Sequence, residues 1–376
     1  MVELAGIGPG PFCGMVLSDL GAELIRVERP VPVNPAAALD ARTVLTRGRP
    51  VVGVDLKHPE GTELVLRLVE SADALIEGFR PGVAERLGLG PDDCMARNPR
   101  LVYGRITGYG QDGPMAHEAG HDIDYIALAG ALEPLGRRGE PPMPPLNLVG
   151  DFGGGAMLLA VGVLAALIEA KRSGQGQVVD ASMVEGAALL TTMFHELISA
   201  GAWTEERGTN FLDTAAHYYN VYEAADGKYV AVGAMEPQFY RALLDGLGLS
   251  AESLPDQGDK SHWPELKERL AEVFLTKSRD EWVAHFAGTD ACVTPALSPT
   301  EAQKHPHNVH RGTFIDVGGV VQPGPAPRFS RTPGHVRHAA PPPGAYTGDA
   351  LAAWGFTPEE IKELHACGAL AEVAES

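Results

Sequence analysis

The amino-terminal third of the chain alternates short strand-like runs with helical stretches, and that alternation limits the fold more than any other feature. Residues 2–5 read as a strand, GIGPGP as a glycine-rich turn, residues 12–20 as a helix and 23–28 as a second strand. VVGVDL, a helix over 59–71, ALIEGF, a helix over 82–87 and LVYGRITGYG continue the series. Parallel strands need a crossover between them, and a helix supplies it. The pattern therefore predicts an α/β class with a parallel sheet and helices on both faces. The first turn was tested against the dinucleotide fingerprint GxGxxG, which carries an acidic residue some twenty positions later. Gly6 and Gly8 fit and Glu28 stands at a plausible ribose distance, but Pro11 occupies the third glycine position, so a tight first turn is the better reading.

After the extended PPMPPLN comes an apolar helix from Phe152, then the strand QVVDAS. Met183, Ala187, Leu190, Phe194 and Leu197 step by four and three, which predicts one long helix with an apolar face. At His217 the texture changes. HYYNVYEA and KYVAVGAM flank Asp226-Gly227, a hairpin signal, and three amphipathic helices follow around EPQFYRALLDGLG, WPELKERLAEVFL and RDEWVAHFAG. Seven prolines between Val321 and Pro343 suggest a crossing segment before a last helix over 358–365. The 376 residues exceed what one core of ~250–300 residues holds. The expected organisation is a discontinuous Rossmann-like large domain, 1–181 and 324–376, a small α+β domain, 217–307, and linkers at 182–216 and 308–323.

Composition narrows the partners. Lys and Arg number 30 against 49 Asp and Glu, a formal charge of −19. Such a field disfavours nucleic acid and anionic membrane surfaces, so an anionic ligand needs a local basic pocket. The longest apolar run, 156–168, has 13 residues against the ~20 of a bilayer span, and reads as a buried core helix of a protein with no membrane partner. Cys13, Cys94, Cys292 and Cys367 have no ligand or disulfide spacing, and no targeting signal is read at either end. A reducing, cytoplasmic location is expected.

Three motifs are candidates for chemistry. GHDIDY sets His121 beside two acids after a glycine; taken alone, it reads as a hydrogen-bonded loop or helix-start histidine before it reads as a base. In NLVGDFGGGAMLL, Asp151 precedes the apolar helix and would serve as its N-cap. An N-cap does not explain Gly153-Gly154-Gly155, each costing up to ~1 kcal/mol against alanine in a helix. Close approach of a ligand to bare N–H groups would explain them, and a helix start can stabilise a developing oxyanion. In GAMEPQFY, Glu236 precedes a helix whose first residue is Pro237, an ordinary arrangement. His305, His307 and His310 in HPHNVH lack a zinc-site pattern, so no metal is expected. Met157, Met183, Met193 and Met235 read as core filler or as an adaptable acyl-binding face.

Taken together, ELAGIGPGP, SDLGAELIRVERP, VDLK, EGFRPGVAERLGLGP, RITGYGQDGP, GHDIDY, PPLNLVGDFGGG, GQGQVVDASMV, DGKYVAVGAMEPQFY and DACVTPAL resemble the class III CoA-transferase (CaiB/BaiF) superfamily over essentially the whole chain. Within it, His121 and Glu236, with no glycine-rich lid near GAMEPQFY, resemble the branch that epimerises 2-methylacyl-CoA thioesters. The resemblance implies proton removal from one face of the α-carbon and return to the other, with His121 and Asp151 as acid/base groups, the histidine serving the S proton. It implies that Glu236 orients His121 within an interlocked homodimer. For CoA it implies Arg29, Lys57, Arg80 and Arg86 at the phosphates, Val54, Asp55, Gly78 and Phe79 around the nucleotide, Asp122 near the pantetheine arm, and Leu56, Gly120 and Tyr125 among the other substrate or CoA contacts. No separate cofactor is implied, because the thioester acidifies its own α-proton. Members of the family start several residues earlier, a difference that bears on the first strand rather than on the site. Two other readings stay open: CoA transfer through Asp151 as nucleophile, and acyl-CoA binding without catalysis.

Overall fold

The order of strands in the sheet follows from the crossovers that the sequence dictates. The structure is a computed structural model that describes residues 1–30, 44–341 and 347–370. Contacts divide the chain into two units, Met1–Ala129 with Pro145–Leu190 and Gly312–Ser376, and Gly130–Pro144 with Thr191–Arg311.

In the first unit the elements run β1 (Val2–Leu4), α1 (Pro9–Asp19), β2 (Ile25–Glu28), β3 (Val51–Gly53), α2 (Pro59–Ser71), β4 (Ala74–Glu77), α3 (Val83–Arg86), α4 (Pro91–Arg97) and β5 (Val102–Thr107). After α5 (Asp122–Leu128), a wide π-helical segment, Leu148–Ala156, leads into α6 (Met157–Ser173), β6 (Val178–Ser182) and α7 (Met183–Leu190). The six strands are parallel in the order β3-β2-β1-β4-β5-β6. The first strand forms in full register, Val2 beside Ile25 and Leu75. Helices cover both faces, so β1, β3, β4 and β5 are buried throughout. On one face Leu64, Leu68, Leu75 and Phe356 share a core; on the other, Cys13, Leu17, Leu159 and Val163 do. The charges carried by these buried strands are paired. Glu3 accepts from both Arg26 and Arg49, and Arg105 meets Glu77 and Glu85, each at 2.8 Å. Removing one partner of such a pair typically costs ~3–5 kcal/mol.

The carboxyl-terminal helix, Pro358–Ala366, belongs to this first unit, where Arg67 meets Glu360 at 2.9 Å and Val54 bridges Leu370. The large unit is therefore discontinuous. Part of the segment read as linker is instead an antiparallel hairpin, Phe314–Val317 against Val320–Pro323, turned by Gly318 and Gly319 at φ 63° and 83°. Two positive φ values in a two-residue turn suit glycine and match the twist of the strands. Residues 342–346, within the proline-rich stretch, lie outside the described residues.

Two helix readings change. The stripe from Met183 to Leu197 is not one helix: α7 ends at Leu190, and α8 (Thr192–Ser199) is separate. Beyond Ala187 the same-face residues Leu190, Phe194 and Leu197 are not buried within the chain, so packing did not hold the helix continuous. The apolar helix also begins earlier than Phe152, and it is not buried all round. Leu159, Ala160, Val163, Ala166 and Ala170 pack on the sheet, while Met157, Val161, Leu164 and Ile168 form an exposed stripe. The helical stretch Leu148–Ser173 is long and apolar enough to cross a membrane, yet its packing is that of a sheet-covering helix.

The second unit holds a three-stranded antiparallel sheet in which β7 (Tyr219–Glu223) and β8 (Tyr229–Gly233) form the hairpin around Asp226-Gly227, and β9 (Val293–Pro295) pairs with β8. Helices α9 (Pro237–Leu247), α10 (Trp263–Phe274) and α11 (Arg279–His285) bury Leu243, Leu244, Trp263, Phe274 and Trp282 with Tyr222 and Val230. Residues 130–144 join this unit rather than the large one. Arg207 ties them in, donating to the carbonyls of Glu133 and Glu140, each at 2.5 Å.

Candidate active site

The sheet order reverses direction between β1 and β4, and in open parallel sheets ligands bind in the crevice that opens there, outside the carboxyl ends of the strands. Small residues make that crevice possible. A Cβ on Gly6, after β1, would stand 4.0 Å from the Cα of Gly78, after β4. Gly8 has φ 70°, which favours glycine, and a Cβ there would lie 3.5 Å from Asp151 Oδ2. Asp151 is thus brought to the tight glycine-rich turn that follows the first strand.

Asp151 is not the N-cap. Asn147 holds that position, four residues earlier, and its amide Nδ2 donates to Asp151 Oδ2 at 3.2 Å. The Asp151 N–H donates to Asp122 Oδ2 at 2.6 Å, so one helix-start donor expected for an oxyanion is already used. Asp122 is buried, and its Oδ1 has no partner among the described residues. Burial pushes the Asp151 carboxyl above the ordinary aspartate range; the Asn147 bond opposes this, the Asp122 charge adds to it, and His121 opposes it. A carboxyl so raised is a better proton donor near neutrality than a free aspartate.

His121 caps α5 and is exposed, and its backbone N–H donates to Asp124 Oδ2 at 2.9 Å. The residue before it is clamped between two rings. A Cβ on Gly120 would lie 2.5 Å from Tyr109 Oη and 2.7 Å from Tyr125 Cε1, and Tyr125 Oη donates to the Gly120 carbonyl. The rings meet edge to face at 5.2 Å. His121, Asp122, Tyr125, Asn147 and Asp151 therefore form one connected group.

The three glycines after Asp151 serve a different purpose from the ligand approach expected of them. A Cβ on Gly154 would come within 2.6 Å of the Ala187 backbone N, and one on Gly155 within 2.8 Å of Met183 Cγ. Both are buried against α7. Only at Gly153, where a Cβ would meet Leu148 O at 3.0 Å, is the nearest obstruction on the segment itself. The triplet lets two helices touch backbone to backbone, and so sets the depth at which Asp151 sits.

The expected phosphate and nucleotide residues follow the carboxyl ends of strands: Arg29 after β2, Val54 to Lys57 after β3, and Gly78, Phe79 and Arg80 after β4 on loops, with Arg86 at the end of helix α3; Asp122 and Tyr125 lie on α5. Arg29, Lys57, Arg80 and Arg86 are exposed, and none forms an ion pair with a described residue. The strand arginines Arg26 and Arg105, by contrast, are paired with carboxylates. Cations left without carboxylates at a sheet's carboxyl edge can take phosphate oxygens. Asp55 holds its own loop, accepting from the Lys57 N–H at 2.9 Å, and Val54 and Leu56 are buried. Glu236 is the exposed N-cap of α9 in the second unit. Among the described residues, no three His, Cys, Asp or Glu side chains gather as metal ligands.

Sequence reasoning missed Asn147, the place of Gly8 beside Asp151, and Tyr109. A polar residue four before Asp151 was a usable signal for the first, because helical turns bring such residues together. The other two meet the site only through the tertiary fold.

A family model described as CoA-transferase family III matches residues 1–347. The chain belongs to CoA-transferase family III. Among curated relatives of this family, "Alpha-methylacyl-CoA racemase" of Mus musculus is 47% identical over 97% of this chain and 94% of its own length. The Homo sapiens protein of the same name is 45% identical with the same coverage. Among solved structures, a CAIB/BAIF family protein from Brucella suis superposes with a TM-score of 0.81 at 25% identity, covering 94% of this chain and 97% of that one.

Proposed function

We propose that this family III protein interconverts the (2R) and (2S) epimers of 2-methylacyl-CoA thioesters by 1,1-proton transfer. Near-full-length identity of 47% and 45% to two proteins named α-methylacyl-CoA racemase supports the activity. The observation that carries the mechanism is the placement of His121 within electrostatic reach of a half-buried Asp151 whose carboxyl is raised. Inversion needs one group to take a proton from one face while a second returns one to the other. His121, exposed and preceded by a clamped glycine, is the base for the S proton in this reading. Asp151, held by Asn147, supplies the proton on the opposite face, and the roles reverse for the R epimer. The thioester acidifies the α-proton, so the proposed reaction calls for no metal or redox cofactor. Arg29, Lys57, Arg80 and Arg86 are proposed to hold the CoA phosphates, with Gly120, Asp122 and Tyr125 along the pantetheine arm.

We also propose that the chain works as a homodimer in which Glu236 orients His121. The exposed stripe Met157, Val161, Leu164 and Ile168 supports this, because a helix face so apolar is stable in water when another surface covers it. A cytoplasmic location is proposed from the four free cysteines.

Incubating a single epimer in deuterated buffer tests the reading. Deuterium should enter the α-position from either epimer, and its absence from both would sink the proposal. His121→Ala and Asp151→Ala should each lower the exchange rate by ~10²–10⁴. If Asp151 instead transfers CoA, hydroxylamine would trap an aspartyl adduct during turnover.

A further inference from the structure

The second unit contains a cavity of about 480 Å³ that the proposed reaction does not use, lined by Arg137, Lys267, Thr214, Val221 and Tyr229 among others. The volume suits a small organic ligand. Of its three cations, Lys267 and Arg137 form no ion pair among the described residues. Lys267 is half-buried, and its ammonium donates to the Thr214 carbonyl at 3.0 Å, with Thr214 held at φ 74°. Asp213, the acid whose charge acts on Lys267, is committed elsewhere. It accepts from the backbone N–H groups of Gly208, Thr209 and Asn210 and from the Asn210 amide, at 2.8–3.2 Å. Arg138 pairs with Glu206, whereas Arg137 forms no ion pair among the described residues. Burial lowers the Lys267 pKa, and the Arg137 charge outweighs that of Asp213 in lowering it further. Two cations thus face one cavity and repel each other.

We propose that this cavity binds a single-headed oxyanion, a carboxylate or a phosphate monoester on a short apolar body, with Lys267 and Arg137 holding the head. A bound oxyanion would replace the mutual repulsion with two charge-assisted hydrogen bonds. Val221 and Tyr229, both partly exposed on the same wall, provide the apolar surface for the body. Glu140 and Glu223 line the cavity from exposed positions and disfavour a polyphosphate, which separates this site from one for CoA. The inference stands apart from the proposed racemase activity.

Isothermal titration of the full chain with hexanoate, hexyl phosphate and inorganic phosphate tests it, with CoA present to occupy the arginines of the crevice. The expected result is one saturable site per chain. The two amphiphiles should bind more tightly than inorganic phosphate, and the stronger of the two identifies the head. Arg137→Gln and Lys267→Gln should each weaken binding about tenfold or more, as expected when one charged contact is lost. If Lys267→Gln fails to fold, Arg137→Gln decides alone, since Arg137 is exposed. No saturable binding in the presence of CoA, or binding unchanged by Arg137→Gln, overturns the proposal whether or not the protein epimerises acyl-CoA.

Discussion

Replacing Gly154 with alanine tests how the depth of Asp151 is set. The new Cβ would lie 2.6 Å from the Ala187 N and 2.8 Å from the Gly186 carbonyl carbon, where ordinary contact begins at 3.4 Å. Both obstructions are backbone in α7, so no side chain can turn away; the two helices must part by most of an ångström. Overpacking of this kind costs ~1–3 kcal/mol. Alanine recovers up to ~1 kcal/mol through its helix propensity. With the full recovery the net loss of ~0–2 kcal/mol should lower Tm by up to a few degrees. The effect on rate should be larger, because a misplacement of about 1 Å of a reacting group costs on the order of 100-fold. Since the loops proposed to bind CoA are untouched, kcat for α-deuterium exchange should fall while KM holds. Gly153→Ala is the control. Its Cβ meets Leu148 O at 3.0 Å and the movable Leu190 side chain at 3.5 Å, so its rate should stay within a few-fold of the parent. A Gly154→Ala protein with unchanged Tm and exchange rate would refute the claim that this contact positions Asp151.

Three further outcomes follow from the structure. Asp122→Asn removes a charge that raises the Asp151 pKa but leaves an oxygen to accept its N–H, so the Asp151 limb of the pH–rate profile should move to lower pH; a limb that stays put or rises contradicts that cause. Buried His217 contacts Tyr240 Oη at 2.8 Å through Nε2, and burial lowers its pKa from 6.5 to about 4. The folded state resists protonation, so stability is fully present above pH 6.5 and is lost as pH falls from 6.5 toward 4, by roughly 3 kcal/mol in all. Denaturant titrations at pH 7 and 4.5 should show this loss reduced in His217→Gln, and an equal loss in both proteins would exclude His217 as its source. Arg80→Ala should raise KM for the CoA ester about tenfold with little change in kcat, the signature of lost ground-state binding; a fall in kcat alone would place Arg80 outside the phosphate site.

The legible part of the site was chemical. His121, Asp151 and the loop cations are residue types whose chemistry shows in the string, and the βα pattern set the cations at the carboxyl ends of strands before any coordinates. Harder to read was purpose. Gly153-Gly154-Gly155 looked like bare backbone left open for a ligand, because a string shows a missing side chain but not what occupies its place. In the fold, α7 approaches Gly154 and Gly155. The Met183 to Leu197 stripe failed for a related reason: periodicity reports which residues share a face, and says nothing about whether one partner surface runs along the whole of it.

By itself the sequence determined the parallel sheet and the Asp226-Gly227 hairpin, because each rests on local spacing. Only the tertiary structure decided that Asn147 rather than Asp151 caps the helix, that Asp122 takes the Asp151 N–H, and that Gly8 stands next to the Asp151 carboxyl. The last of these depends on segments more than a hundred residues apart being pressed together by burial of the sheet's two faces. Burial and neighbouring charge then set the Asp151 pKa, a property that no residue carries in its own identity.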